Sequence, residues 1–333
     1  MRMTLRGGAL SGPILFNLAF ALYLACTVAV TALLGEPHGV VQMALRGGRD
    51  GALVLLLLGL SLFVTFYGIW RGQVSGVAGR LLAAILVGAG IYLYLIPAFA
   101  VVKGMISLPF GFWADPMLAR LDMALHGGRD AWVLYWPLVD VIPAKLAFIG
   151  YNFGWAVVSM GLPVLAMVFD PDPVRRNRVL ICYTFVWIGI GNVLAMVFAS
   201  VGPVYYEGLL GAPRYADYLS AREGLMPAAH AVRELQDALW RNMVERQGQL
   251  GLAISAFPSV HVGIAALTMV YFVSLGRIFA IVGIGYCALT QWSSVVYGWH
   301  YAVDGYASIL LVVSLWIALG FGMKRSVRQG LGT

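Results

Sequence analysis

Charge is what this chain has least of. Only 11% of its 333 residues are Asp, Glu, Lys or Arg, against roughly 25% in a soluble domain. So few charges cannot clothe the surface of a water-soluble fold. Cysteine is scarce too: Cys26, Cys182 and Cys287 all lie inside apolar runs, with no close pair and no metal-ligand spacing. That excludes a disulfide framework and a cysteine-ligated metal, and leaves the three as buried apolar filler. No Pro- or Ser-rich linker, internal repeat or low-complexity stretch divides the chain, so residues 1–333 read as a single integral-membrane domain.

What is present is apolar, 61% of all residues. Eight runs come near the roughly 20 residues that cross a bilayer core. They fall at about 13–34, 51–70, 80–102, 142–169, 179–200, 259–276, 278–297 and 300–322. The predicted fold class is therefore all-α: a polytopic helical membrane protein with about eight transmembrane helices. Forty glycines allow close helix contacts, as expected where small residues mediate packing in lipid. Arg2 and Arg6 precede the first run as they would in a signal peptide, and Leu22–Cys26 resembles a lipoprotein cleavage site. The run continues to Leu34 and further runs follow, so it is read as the first span.

Basic residues orient the spans. With alternate loops sharing a side, Arg2, Arg6, Arg71, Arg80, Arg175, Arg176, Arg178, Arg277, Lys324, Arg325 and Arg328 fall together, with only Asp170 and Asp172 as acids. That side carries +9 and the other −2, which accounts for the net charge of +7. The positive side is expected to be cytoplasmic. Both termini then lie inside, and topology explains the basic residues without any nucleic-acid partner. Compact loops point to a bacterial inner membrane rather than a Golgi-type one.

The predicted outer segments are rich in aromatics. Residues 104–135 mix Phe110, Phe112, Trp113, Trp132 and Tyr135 with Asp115, Arg120, Asp122 and Arg129, as suits the headgroup level. Over 227–247, Val232, Leu235, Leu239 and Met243 recur at helical spacing, between Pro227 and Gly248. This predicts an interfacial helix, either a roof over a surface site or a simple packing helix.

Ionisable groups at membrane-helix ends are costly to desolvate and mark candidate sites. Phe257-Pro258-Ser259-Val260-His261 and His300-Tyr301-Ala302-Val303-Asp304 each open an apolar run, and the topology puts both on the outer face. His300 and Asp304, four residues apart, share a helix face. A carboxylate there can hold one imidazole nitrogen and leave the other free, while a second histidine serves as acid or base. Isolated histidines such as His38, His126 and His230 read as ordinary interfacial residues, and Asp140 as an interfacial acid. Tyr151, Asn152, Tyr205, Tyr206 and Tyr297 suit a cleft or an aromatic belt equally well.

These two blocks resemble those of the type-2 phosphatidic acid phosphatase superfamily, P-S-G-H and S-R-x5-H-x3-D on neighbouring helices. The Phe-Pro-Ser-Val-His form is most similar to the inositol phosphorylceramide synthase (aureobasidin-resistance) branch. Ser200-Val201-Gly202-Pro203-Val204-Tyr205-Tyr206 and the Asp115…Asp122 pair are softer matches. The resemblance implies a six-helix phosphatase-like core over 103–322, with three accessory spans in 1–102 and interfacial helices on the outer face. It implies catalytic His261, His300 and Asp304: His300 the nucleophile that forms a phosphohistidine, Asp304 its orienter, and His261 the acid and base. Ser259, at a helix start, would bind phosphoryl oxygens. Such chemistry needs no metal or cofactor, and no metal-ligand cluster is visible.

The chain departs from that pattern in its cations. K-x6-R-P is absent, and Ser294 stands where the third block carries arginine. A phosphate monoester brings nearly two charges and a diester one, and each uncompensated charge in a dry site is expensive. The loss therefore favours a diester: a membrane phospholipid donor whose phosphate headgroup passes to a lipid-alcohol acceptor of ceramide or diacylglycerol type. Candidate substrate-binding residues are Ser259, Ser294, Tyr297, Lys145, Tyr205 and Arg214, with Arg222 another source of charge. Two other readings are a lipid phosphate phosphatase, acting on phosphatidate, a sphingoid phosphate or a polyprenyl diphosphate, and a secondary transporter with a His/Asp relay. The transporter would want mid-span acids and two related halves, and neither is seen.

Overall fold

The computed structural model describes residues 11–33, 76–224, 230–245 and 253–330. Among them every regular element is helical. Six helices are long and apolar enough to cross a bilayer: α1 (Ser11–Leu33), α2 (Gly76–Gly104), α5 (Lys145–Phe169), α6 (Pro173–Val197), α11 (Arg277–Val296) and α12, whose apolar part is Ala302–Phe321. A seventh, α10 (Val260–Leu275), is apolar but shorter. The chain is an integral membrane protein. Seven of the eight predicted spans coincide with these helices, and the run at 51–70 lies outside the described residues. Three shorter helices bear on the site: α3 (Asp115–Leu125), α8 (Ala216–Glu223) and α9 (His230–Val244). The small helices α4 (Ala131–Tyr135) and α7 (Tyr206–Leu210) lie between them in sequence.

The chain divides into two compact units, one of Met1–Val102 with Ser159–Thr184, the other of Lys103–Val158 with Phe185–Thr333. In the first, the buried amide of Asn17 donates to the carbonyls of Leu86 (2.7 Å) and Pro13 (3.1 Å), tying α1 to α2. Phe16 meets Phe20 edge-on at 4.4 Å. The start of α6 is set by acids: Asp170 takes a two-pronged bond from Arg175, and Asp172 accepts the backbone N–H of Val174 at 2.9 Å. A carboxylate satisfying first-turn donors stabilises a helix N-terminus. The helix therefore begins at Pro173 and takes in the three arginines that hydropathy alone would leave in a loop.

In the second unit α10, α11 and α12 pack together. Gly276, at φ +140°, makes the turn between α10 and α11. Gly283 brings α11 close to the backbone of α10, where an added Cβ would stand 3.0 Å from Met269 Cα. Such small-residue contacts are how membrane helices gain packing without a hydrophobic drive. On α9 the buried stripe is Val232, Gln236, Leu239 and Asn242, while Leu235, expected inside, is 40% exposed. The reason is polar: the Gln236 amide donates to Tyr297 O (2.8 Å), its carbonyl accepts from Arg222 (2.6 Å), and Tyr205 Oη donates to its backbone oxygen (3.0 Å). The helix docks on the loops at 203–206 and 297–299 through these bonds and the Tyr205–Trp240 stack at 5.5 Å.

Those loops meet at Gly202, which has φ +88° and would place a Cβ 2.6 Å from Trp299 O and 3.2 Å from Ala256 Cβ. Gly202→Ala should therefore lower stability by about 1–3 kcal/mol from backbone strain alone, with the clash adding to it. Thermal unfolding of the detergent-solubilised protein checks this, and an unchanged melting temperature would contradict the role given to this turn.

Candidate active site

His300 sits in the turn between α11 and α12, buried with Asp304 below it and Ser259 beside it. Its Nδ1 lies 3.2 Å from Asp304 Oδ2, and its Nε2 lies 3.1 Å from Ser259 Oγ. The backbone N–H of Tyr301 also donates to Asp304 Oδ2, at 3.1 Å, which marks that oxygen as an acceptor. Nδ1 therefore carries the ring proton, and Nε2 keeps a lone pair toward Ser259. Ser259 is the N-cap of α10, its Oγ accepting the Val262 N–H at 3.3 Å. One hydroxyl thus closes a helix end and holds an imidazole. Ser259 N also donates to Asp304 O (3.3 Å), so the two motif blocks are joined by backbone as well.

The turn carrying His300 hangs from two buried carboxylates on α3. Asp115 accepts from the backbone N–H groups of Val201 and Gly202, both at 2.9 Å, and from Tyr301 Oη at 2.8 Å. Asp122 accepts from Val303 N (3.1 Å) and Ala131 N (3.2 Å). Burial raises both carboxyls above their ordinary range, opposed at Asp115 by Val201, Gly202 and Tyr301 and at Asp122 by Val303 and Ala131. The two softer sequence matches, Asp115…Asp122 and 200–206, are thus one assembly. Ser200 completes it, its carbonyl accepting Ala256 N and its Oγ accepting Phe257 N, both at 2.9 Å.

His261, in the first turn of α10, lies between two aromatic rings. Tyr151 stacks on it at 4.6 Å with planes 6° apart, and Trp155 at 4.0 Å with planes 28° apart. Trp155 Nε1 also donates to His261 O at 3.1 Å.

Of the other predicted residues, Tyr297 is buried and its carbonyl is held by Gln236. Ser294 is buried and donates to Gln291 O at 2.7 Å. Tyr205 faces Gln236 and Trp240. Lys145 is exposed at the start of α5. Arg214 pairs with Asp130 at 2.6 Å and donates to Ala119 O at 3.2 Å, and Arg222 is taken by Gln236. Sequence reasoning passed over Lys103, a half-buried residue at the end of α2 whose charge acts on both His261 and His300. It is one of three lysines in the chain and closes the third apolar run, a signal that was available but had no motif around it. Among the described residues no group of three or more His, Cys, Asp or Glu side chains is arranged to hold a metal.

Residues 116–318 match the family model of the PAP2 superfamily. The chain belongs to the PAP2 superfamily. No curated protein and no solved structure matches it significantly. Membership makes the chemistry that of lipid phosphate phosphatases and phosphotransferases, and fits a helical fold in the membrane. Ser294, expected from the sequence resemblance to stand at an arginine position, is neutral, and its hydroxyl donates to Gln291 O.

Burial lowers the His300 imidazole to about 3, opposed by a backbone hydrogen bond at Ala256 and reinforced by the Lys103 charge. It is therefore neutral, as a nucleophile must be, throughout the physiological range. The unfolded ring titrates near 6.5, so below that pH the unfolded chain takes up a proton that the folded chain refuses. The stabilising contribution of neutral His300 is complete above pH 6.5 and is lost as pH falls toward 3. Asp115 and Asp122, raised by burial, change stability in the opposite sense. The His300 share is thus read as a difference from His300→Asn. Wild type should lose more melting temperature between pH 6.5 and pH 4 than the variant, and equal losses would contradict the assignment.

Proposed function

We propose that this PAP2 protein is a phospholipid phosphotransferase, and that it moves a phosphate headgroup from a glycerophospholipid to a lipid alcohol through a phosphohistidine. The observation that carries the reading is the placement of His300 between Asp304 and Ser259; an Asp304 oxygen that accepts from Nδ1 leaves Nε2 with its lone pair. Nε2 attacks phosphorus while the bond to the diacylglycerol oxygen breaks, and His261 gives its proton to that oxygen. In the second half, a ceramide- or diacylglycerol-type hydroxyl loses its proton to His261 and attacks phosphorus, and the P–N bond breaks. Asp304 steadies the imidazole through both halves, as an acid does in hydrolytic triads. Proton transfer by a positioned group of this kind is worth about 10²–10⁴-fold in rate.

Transfer is preferred over hydrolysis because the cations that compensate a monoester are not at their usual positions, and Ser294 brings no charge. A diester needs one charge balanced, and Lys103 is placed to act on both histidines. The resemblance to the inositol phosphorylceramide synthase branch points the same way. The charge distribution supports cytoplasmic termini and an extracytoplasmic site that lipids reach from the outer leaflet.

His300→Ala should abolish turnover and any acid-labile phosphoenzyme while the protein still folds, at a stability lower by about 1–3 kcal/mol because Asp304 and Ser259 lose a buried partner. Full activity in that variant would sink the assignment. With phospholipid labelled in the headgroup phosphate, the label should appear in a second lipid. Label released as free phosphate or phosphorylated headgroup would make the enzyme a hydrolase instead.

A further inference from the structure

His261 has a task that its position alone does not secure. In the first turn of a helix an imidazole can swing between rotamers, and an acid–base group misplaced by about 1 Å can cost roughly 10²-fold in rate. Neither Ser259 nor Asp304 holds its ring, since both are engaged with His300. Two rings of α5 pack on the His261 imidazole, Tyr151 at 4.6 Å on one face and Trp155 at 4.0 Å on the other.

Three features separate this pair from ordinary belt aromatics. Tyr151 is 3% exposed, too buried for a residue that marks a headgroup layer. Its ring lies within 6° of parallel to the imidazole at 4.6 Å between centroids, a favoured offset stack made on the histidine itself. Trp155 is fastened to the same residue it stacks on, through the bond from Nε1 to His261 O. Each ring is buttressed in turn, Tyr151 by Tyr297 edge-on at 6.3 Å and Trp155 by Trp187 at 6.1 Å.

The backbone between the two is also unusual. Gly150–Gly154 forms a π-helical turn inside α5. Single π-turns arise where a helix re-aims side chains, frequently at functional sites. Here the turn contains Tyr151 and ends immediately before Trp155, so that one helix offers two rings to opposite faces of one imidazole. An aromatic sandwich also suits a group that changes charge. It stacks on neutral imidazole and attracts imidazolium by cation–π interaction, so neither half-reaction is disfavoured. The other charged or titratable groups acting on His261 are His300, from the α11–α12 turn, and Lys103, from the end of α2.

We propose that Tyr151 and Trp155 are positioning residues that clamp the His261 imidazole in its reactive orientation. This rests on the reading of His261 as the acid and base. The clamp acts through ring faces, so ring-keeping substitutions retain it and aliphatic ones remove it.

The test uses the full-length protein in lipid nanodiscs, with a fluorescent phospholipid donor and a short-chain ceramide acceptor. Trp155→Leu and Tyr151→Leu should each lower kcat by roughly 10- to 100-fold with KM within about two-fold, because orientation of the acid–base group and not binding is lost. Trp155→Phe and Tyr151→Phe should stay within about three-fold of wild type, since each keeps a ring face. Should a Leu variant fail to fold, Trp155→Met and Tyr151→Met carry the same measurement with more of the volume kept. The deciding arm is a double-mutant cycle: Trp155→Leu added to His261→Gln should cost no more than His261→Gln alone. Fully multiplicative losses would assign Trp155 a merely structural role and overturn the clamp. If His261→Gln is inactive but Trp155→Leu and Tyr151→Leu keep full kcat, the clamp fails alone. If His261→Gln is fully active, the acid–base reading fails and the clamp with it.

Discussion

One buried carboxylate, that of Asp115, holds together the parts that make this site. It is fully buried and reaches two segments far from it in sequence, through the N–H groups at 201 and 202 and the hydroxyl of Tyr301. A carboxylate in such a place is expensive unless its lone pairs are filled. The same three donors that meet this need fix the distance from α3 to the histidine turn and to the 200–206 loop. Asp122 does the same two turns further along the same helix face, pinning Val303 and Ala131. His300 is thus placed by polar bonds to a short helix outside the membrane-spanning set. Apolar packing of α10, α11 and α12 supplies the scaffold but not the aim.

The interaction pattern divides what sequence makes legible from what it does not. Hydropathy and length are one-dimensional properties, so seven of the eight apolar runs coincide with observed helices to within a few residues at most ends. The four-residue spacing of His300 and Asp304 is equally local, and so is the capping position of Ser259. Contacts between distant segments are another matter. Nothing local says that Tyr301 belongs with Asp115, or that α5 and α10 bring Tyr151, Trp155 and His261 together. Residue type misleads in both directions: Leu235 points outward, while the polar Gln236 is buried because it serves three partners. Arginines 214 and 222 looked equally suited to a phosphate, yet each is engaged by its neighbours. Lys103 drew no notice because it stands in no motif.

The economy of charge visible in the composition recurs in the site. Among the described residues, His261, His300, Lys103 and three buried acids carry the charge chemistry of the site, and each acid accepts from backbone or ring N–H groups or from a tyrosine hydroxyl. What varies the chemistry is therefore aromatic: rings around His261, a tyrosine–tryptophan stack under α9, and hydroxyls that steer carboxylates. In a membrane such groups carry polar tips without the cost of a full charge.

Asp115 lies one residue before the stretch that matches the family, and Lys103 lies thirteen before it. The recognisable part of this chain is thus not self-sufficient. A chimaera joined at residue 116, with a relative's sequence before it, would carry both histidine motifs intact. It would still lose the anchor of Tyr301 and the nearby positive charge unless the donor supplied both at the same register. Evolution by swapping the catalytic half of such proteins is constrained at that seam, a boundary that motif similarity alone would draw in the wrong place.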